Sequence, residues 1–184
     1  ICNRLDRNTE GLVLAAKDAA TLRELNRLIR ENRIQKTYLC VLTATPPKQT
    51  DILHAYHWKD AKTNTVTISD RPKADYREII TEYRVLQQQN GLCLAEITLH
   101  TGRTHQIRAH MAHVSAPLAG DSKYGNRRKN ESLHLKHQLL CAYQLQFHPE
   151  ADSCLAYLNG KTVTAPLPDF VSRFFPTFSS KNRK

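Results

Sequence analysis

The chain has 184 residues, with 27 lysines and arginines against 17 aspartates and glutamates, a formal net charge of +10. No apolar run approaches the roughly 20 residues that cross a bilayer, which excludes a helical membrane span. Five scattered cysteines within apolar segments, without a C-x-x-C pair, read as reduced core thiols of a cytoplasmic protein. The basic excess suits a polyanionic partner, steered in by charge.

In chain order, Asn3-Arg4-Leu5-Asp6-Arg7-Asn8-Thr9-Glu10-Gly11-Leu12 comes first. One carboxylate, Asp6, sits between two arginines in a cluster of turn formers. The apolar run at residues 12–16 predicts a short buried strand, so Asp6 is expected on a loop leading into the core. Neighbouring cations favour its charged form, and an ionised carboxylate in a cleft serves as nucleophile or base. Taken alone, a surface acid in a loose ion pair is the favoured reading.

Asp18 caps a predicted helix running to about residue 32, striped by Leu22, Leu25, Leu28 and Ile29. Arg23, Arg27 and Arg30 lie off that stripe, facing water or phosphates, with a solvated face the favoured reading. Residues 34–44 predict a strand with Tyr38, Cys40 and Leu42 on one side. After the break at Pro46-Pro47, short strands at 52–58 and 65–69 join through a polar turn. Residues 74–87 form a longer strand, and Asn90-Gly91 turns it back into a strand at 92–99.

Next comes Thr101-Gly102-Arg103-Thr104-His105-Gln106-Ile107-Arg108-Ala109-His110-Met111. Gly102 permits a tight turn, and Thr101 or Thr104 is expected to cap a helix at 104–114. Ile107, Met111 and Val114 share its apolar face, with His105 and Arg108 beside them. Amides at a helix start favour anions, so this junction is a candidate anion site. Residues 126–132 read as a polar loop, 137–147 as a strand and Asn159-Gly160 as a turn. Pro168-Asp169 opens a short helix that offers Phe170, Val171, Phe174 and Phe175 for packing. Residues 179–184 read as a disordered basic tail. These elements imply a single α+β domain on a mixed, largely antiparallel sheet with flanking helices.

Two of these stretches resemble motifs of the RluA-type pseudouridine synthases. The first is similar to that family's H-R-L-D-x-x-T-S-G-L, the second to its T-G-R-T-H-Q-I-R. Gln35-Lys36-Thr37-Tyr38-Leu39 resembles its K-x-Y segment, and Gly120-Asp121-Ser122-Lys123-Tyr124-Gly125 its G-D-x-x-Y-G ending. Weaker similarity reaches Leu140-Cys141-Ala142-Tyr143 and Ala165-Pro166-Leu167-Pro168. Asn3 stands where the family usually has His, and Glu10 where it usually has Ser. Family members carry several dozen residues before the first motif, so residues 1–184 are expected to form the catalytic domain without its N-terminal portion.

The resemblance implies a mixed, curved sheet with a cleft across it. It also implies an enzyme that isomerises uridine to pseudouridine in RNA, 23S ribosomal RNA first and transfer RNA as the alternative. Asp6 is then the catalytic carboxylate, Arg108 its paired cation and Tyr38 the active-site ring. Arg4, Arg103, His105 and Gln106 are expected to contact RNA or to shape the cleft. The reaction needs no cofactor and no metal. The H-x-x-H pairs His54/His57, His110/His113 and His134/His137 lack the glutamate or cysteines a metal site needs. The chain is expected to work as a monomer whose partner is RNA. The rival reading, a non-catalytic RNA-binding fragment, leaves an acid inside a basic cleft without a purpose.

Overall fold

A computed structural model describes residues 1–179. The expected tail lies, beyond its first residue, outside them. Among the described residues the strands are β1 (Glu10–Gly11), β2 (Ile34–Leu42), β3 (Thr50–Asp60), β4 (Thr65–Ser69), β5 (Arg77–Gln89), β6 (Leu92–Leu99), β7 (Leu140–Phe147) and β8 (Thr162–Thr164). The helices are α1 (Ala19–Arg30), α2 (Gln106–His113), α3 (Arg127–Ser132) and α4 (Asp169–Phe174). One sheet runs in the order β1-β7-β2-β6-β5-β3-β4, with β8 also on β7. β1 and β7 are parallel and the other pairs antiparallel. The expected α+β fold on a mixed, largely antiparallel sheet is therefore what forms.

The centre of the sheet is buried on both sides because β2 ends in the continuous apolar run Leu39-Cys40-Val41-Leu42. Cys40 and Leu42, with Tyr38 beside them, pack against Ile107 and Met111 of α2. Leu39 and Val41 face the other way, onto Phe170, Val171 and Phe175 at α4. Leu25 and Leu28 of α1 pack on Ile34, Leu145 and Phe147 at one end. Asp18 caps α1 as expected, its Oδ1 accepting the Thr21 N–H at 2.8 Å. Asn90 and Gly91 both adopt positive φ, 52° and 72°, as a two-residue I′ hairpin turn requires.

Three expectations are corrected. Residues 12–16 are not a strand. Leu12 N–H bonds to Ala142 O, but Leu14 turns its backbone to Cys2 and to the Asn3 side chain instead of a ladder. Nor is the run fully buried, since Val13 stays 49% exposed. Residues 126–132 are not a loop: α3 forms there, capped by the Asn126 side chain accepting Lys129 N–H at 3.1 Å. Its composition is polar, yet Asn130 is buried. Finally, neither Thr101 nor Thr104 caps α2. His105 occupies the cap position with φ 52° and no side-chain capping bond.

One irregularity bears on the site. Pairing between β2 and β7 shifts between Thr37 and Tyr38, so Tyr38 faces Ala142 while Thr37 faces Gln144. Tyr143 is the extra residue, and its carbonyl accepts from Ala165 N–H at 2.8 Å. Such bulges add twist and re-aim the side chains beside them.

Candidate active site

The loop bearing Asp6 is closed at its base. Cys2 N–H donates to Leu14 O at 2.8 Å, and Leu14 N–H donates to Asn3 Oδ1 at 2.7 Å. Asn3, the departure from the family's usual His, thus serves as a backbone clasp here. At the tip, Thr9 N–H donates to Asp6 O at 3.0 Å, with Asn8 in the left-handed region. The buried Gln138 amide donates to Arg7 O at 2.6 Å and to Thr9 Oγ1 at 3.2 Å. Gly11 lets the loop approach β7, because a Cβ there would lie 2.2 Å from Ala142 O. Asp6 is therefore carried on a turn held from several sides.

The start of α2 is held by a polar web. Gln106 Oε1 accepts from the Thr101 hydroxyl at 2.9 Å and from Arg103 N–H at 3.0 Å. Its Nε2 donates to Ile80 O and to Thr81 Oγ1. With its amide used inside and the residue 2% exposed, Gln106 shapes this turn from within. His57 Nε2 donates to Thr104 O at 2.9 Å and so steadies the same turn.

His110 Nδ1 pairs with the Thr81 hydroxyl at 2.9 Å. Burial first, then the neighbouring His113, pulls the His110 pKa down to about 4. A histidine depressed below its ordinary value near 6.5 stabilises the fold above that value. The contribution is lost as pH falls through about 4, because the unfolded chain takes up the proton first. Thermal melting followed from pH 7 to 4 should decline for this reason, and His110→Gln should flatten the decline. His57, His110 and His113 are thus engaged, the last with Asp70 at 2.7 Å. Among the described residues no group of three His, Cys, Asp or Glu is placed to hold a metal ion.

Arg108 has two acids. Its shorter, forked contacts go to Asp121, Nε to Oδ2 at 2.7 Å and Nη2 to Oδ1 at 3.0 Å. Nη1 reaches Asp6 Oδ2 at 3.4 Å. The resemblance pairs Arg108 with Asp6, and that contact is present; the shorter contacts go to Asp121, whose side chain is fully buried. Burial raises the Asp121 pKa, but bonds from Arg108 and from the Tyr124 and Lys123 N–H groups outweigh it, so the net shift is downward. Asn130 of α3 fixes the turn, accepting Gly120 N–H at 2.8 Å and donating to Asp121 O at 3.0 Å. The Arg108 guanidinium also lies 5.4 Å from the centre of the Tyr124 ring. The Tyr124 hydroxyl accepts Val66 N–H at 3.0 Å and bonds His105 Nδ1 at 2.9 Å. Burial lowers the His105 pKa, with Asp6 opposing that effect and Arg108 adding to it.

These parts surround a cleft of about 240 Å³. Arg4, Asp6, Tyr38, Arg103, His105 and Arg108 all line it, as does Gln106. Every site residue expected from the sequence is thus brought to one place. Arg4 and Arg103 are exposed at the rim, whereas the Asp6 side chain is 18% exposed. Burial first, then the Asp6 charge, pushes the Tyr38 phenol up to about 12. Sequence reasoning missed Lys36 as a lining residue, Asp121 as the arginine's main partner, and Gln138 and Asn130 as clamps. The K-x-Y and G-D-x-x-Y-G segments carried the first two in plain view; nothing local marks the clamps.

An acid, a buried guanidinium and a phenol thus meet in one cleft on a mixed sheet. Residues 1–113 match the family described as RNA pseudouridylate synthase. The chain is 36% identical over 169 residues to an uncharacterized RNA pseudouridine synthase of Chloroflexus aurantiacus, covering 91% of this chain and 50% of that protein. It is 33% identical over 179 residues to the ribosomal large subunit pseudouridine synthase C of Buchnera aphidicola, covering 93% and 53%. In fold it is similar to human RNA pseudouridylate synthase domain containing 1, with TM-score 0.76, 22% identity, and coverage of 93% of this chain and 70% of that one. The chain belongs to the RNA pseudouridylate synthase family, and the resemblance read from its motifs is borne out. It spans about half the length of the curated relatives it matches.

Proposed function

We propose that this chain carries the catalytic centre of an RNA pseudouridine synthase acting on a uridine of 23S ribosomal RNA, with Asp6 as nucleophile. The observation that carries the reading is the meeting of the Asp6 carboxylate, the Tyr38 ring and the Arg108 guanidinium in one cleft rimmed by exposed arginines. The net charge of +10 supports an RNA partner. The ribosomal target is supported by relatives bearing the name ribosomal large subunit pseudouridine synthase. Transfer RNA is the alternative.

The target uridine leaves its stack at a cost of a few kcal/mol, and Arg4 at the rim fills the space it vacates. Asp6 attacks C1′ of the sugar, and the N1–C1′ electron pair leaves with the uracil. The base turns on the Tyr38 ring, a stacking contact worth about 1–3 kcal/mol. C5 then attacks C1′ and displaces the carboxylate. Loss of the C5 proton and gain of one at N1 complete an isomerisation that consumes nothing. Arg108, whose Nη1 lies 3.4 Å from Asp6 Oδ2, keeps the carboxylate aimed into the cleft.

Sequencing pseudouridines in ribosomal and transfer RNA from cells with and without the gene tests this reading. One or more ribosomal positions should lose modification when the gene is deleted; unchanged maps in both RNAs would overturn it. Tyr38→Phe keeps the ring and removes the hydroxyl. RNA affinity should hold within about 3-fold while product formation slows. Since a phenol held at about 12 is protonated at neutral pH, its expected part is to relay the C5 proton rather than to act as a free phenolate. Unaltered single-turnover kinetics would remove the hydroxyl from the mechanism.

A further inference from the structure

Lys36 is the cation of the cleft that the reading above leaves without a task. It sits two residues before Tyr38 on β2, so the two side chains leave the same face of the sheet. Lys36 pairs with Leu99 on β6 and Tyr38 with Ile97, and Leu99 lines the cleft beside them. A Cβ on Gly102 would lie 3.2 Å from the Lys36 Nζ. The ammonium therefore rests against the turn that leads into α2, where the missing side chain of Gly102 gives it room.

Among the described residues no carboxylate forms an ion pair with Lys36, and no hydrogen-bond acceptor is given to its ammonium. Burial lowers its pKa with no opposing charge. Arg27 shows the contrast: it is met by Glu24, Glu31 and Glu150. A half-buried ammonium that carries three donors and no protein acceptor is costly unless a ligand supplies one.

Two anionic groups of the substrate compete for that role. The phosphates of an RNA strand run along the outside of a cleft, where Arg4 and Arg103 are exposed. Lys36 is half-buried, on the strand that carries the ring beneath the base. When the N1–C1′ bond breaks, its electron pair stays on uracil, and the negative charge spreads onto O2 and O4. That charge appears inside the cleft, beyond the reach of the rim.

We propose that Lys36 is the cationic grip on the detached uracil: its ammonium donates a hydrogen bond to a carbonyl oxygen of the base and stabilises its charge between bond breaking and bond making. This rests on the pseudouridine synthase reading. Lys36 keeps its proton throughout, so the balance of the reaction is unchanged. A donor aimed at developing charge acts on the chemical step more than on ground-state binding.

The test uses the full protein, single-turnover pseudouridine formation and RNA affinity measured across a salt series. Lys36→Met should slow the chemical step roughly 100-fold, with affinity within about 3-fold and an unchanged salt slope. Lys36→Arg, which keeps a cation, should recover part of the rate, and both variants should melt like the parent. A rate within 2-fold of the parent in Lys36→Met overturns the proposal. So does a loss confined to affinity with a salt slope shallower by about 0.7, which would make Lys36 a phosphate contact. If Lys36→Met melts early, Lys36→Arg decides, since a fully folded arginine variant no faster than methionine also overturns it. Because the parent must turn over in the same assay, failure here is distinguishable from failure of the functional reading.

Discussion

Asp6→Asn is expected to abolish pseudouridine formation, lowering the single-turnover rate by roughly 10³-fold or more, the scale seen when a nucleophile is removed. Asparagine keeps the shape and loses the charge. The turn that holds position 6 is built from other groups: the Asn3 clasp, the Gln138 amide and the Thr9 N–H to Asp6 O bond. The fold should therefore survive. Arg108 retains its forked contacts to Asp121, so melting should move little. RNA affinity should hold or rise, because an acid in a basic cleft repels phosphate. A folded Asp6→Asn protein that turns over near the parental rate would remove Asp6 from the chemistry.

Arg108→Met carries the second large effect, and here stability and rate fall together. The guanidinium side chain is 6% exposed and its Asp121 partner 0%. Removing the cation leaves a carboxylate buried with only the Lys123 and Tyr124 N–H groups to hold its charge. Breaking such a pair costs about 3–5 kcal/mol, which in a chain of this size lowers melting by roughly 10 °C. Asp121→Asn should cost less, because it removes the buried charge instead of stranding it. It also leaves Asp6 as the one acid bonded to Arg108. Thermal melts of the two variants beside the parent check the ranking. Equal, small shifts would show that the pair carries little of the fold.

Much of this site was legible because its chemistry lies in contiguous segments. Asp6, Tyr38 and Arg108 each sit inside a motif, and the strands between them follow from alternation, as with Cys40 and Leu42 against Leu39 and Val41. What stayed hidden is contact between distant segments. Gln138 reaches back to Arg7 and Thr9 across roughly 130 positions, and no local pattern announces that. Asn130 sits in a six-residue helix of polar residues, too short to show a period, so its burial against Gly120 and Asp121 was invisible. Residues 12–16 look like a strand by composition, but pairing there is decided by β7 and the Asn3 clasp. The second acid of Arg108 was in view as a motif residue; its role needed the geometry.

The most direct measurement is tritium release from RNA labelled at carbon five of uracil, by the full protein and by its Asp6→Asn form. The parent should free tritium in proportion to pseudouridine formed, and the variant should free none above background. A folded parent that releases no tritium from ribosomal or transfer RNA, or a variant that matches it, would contradict the account.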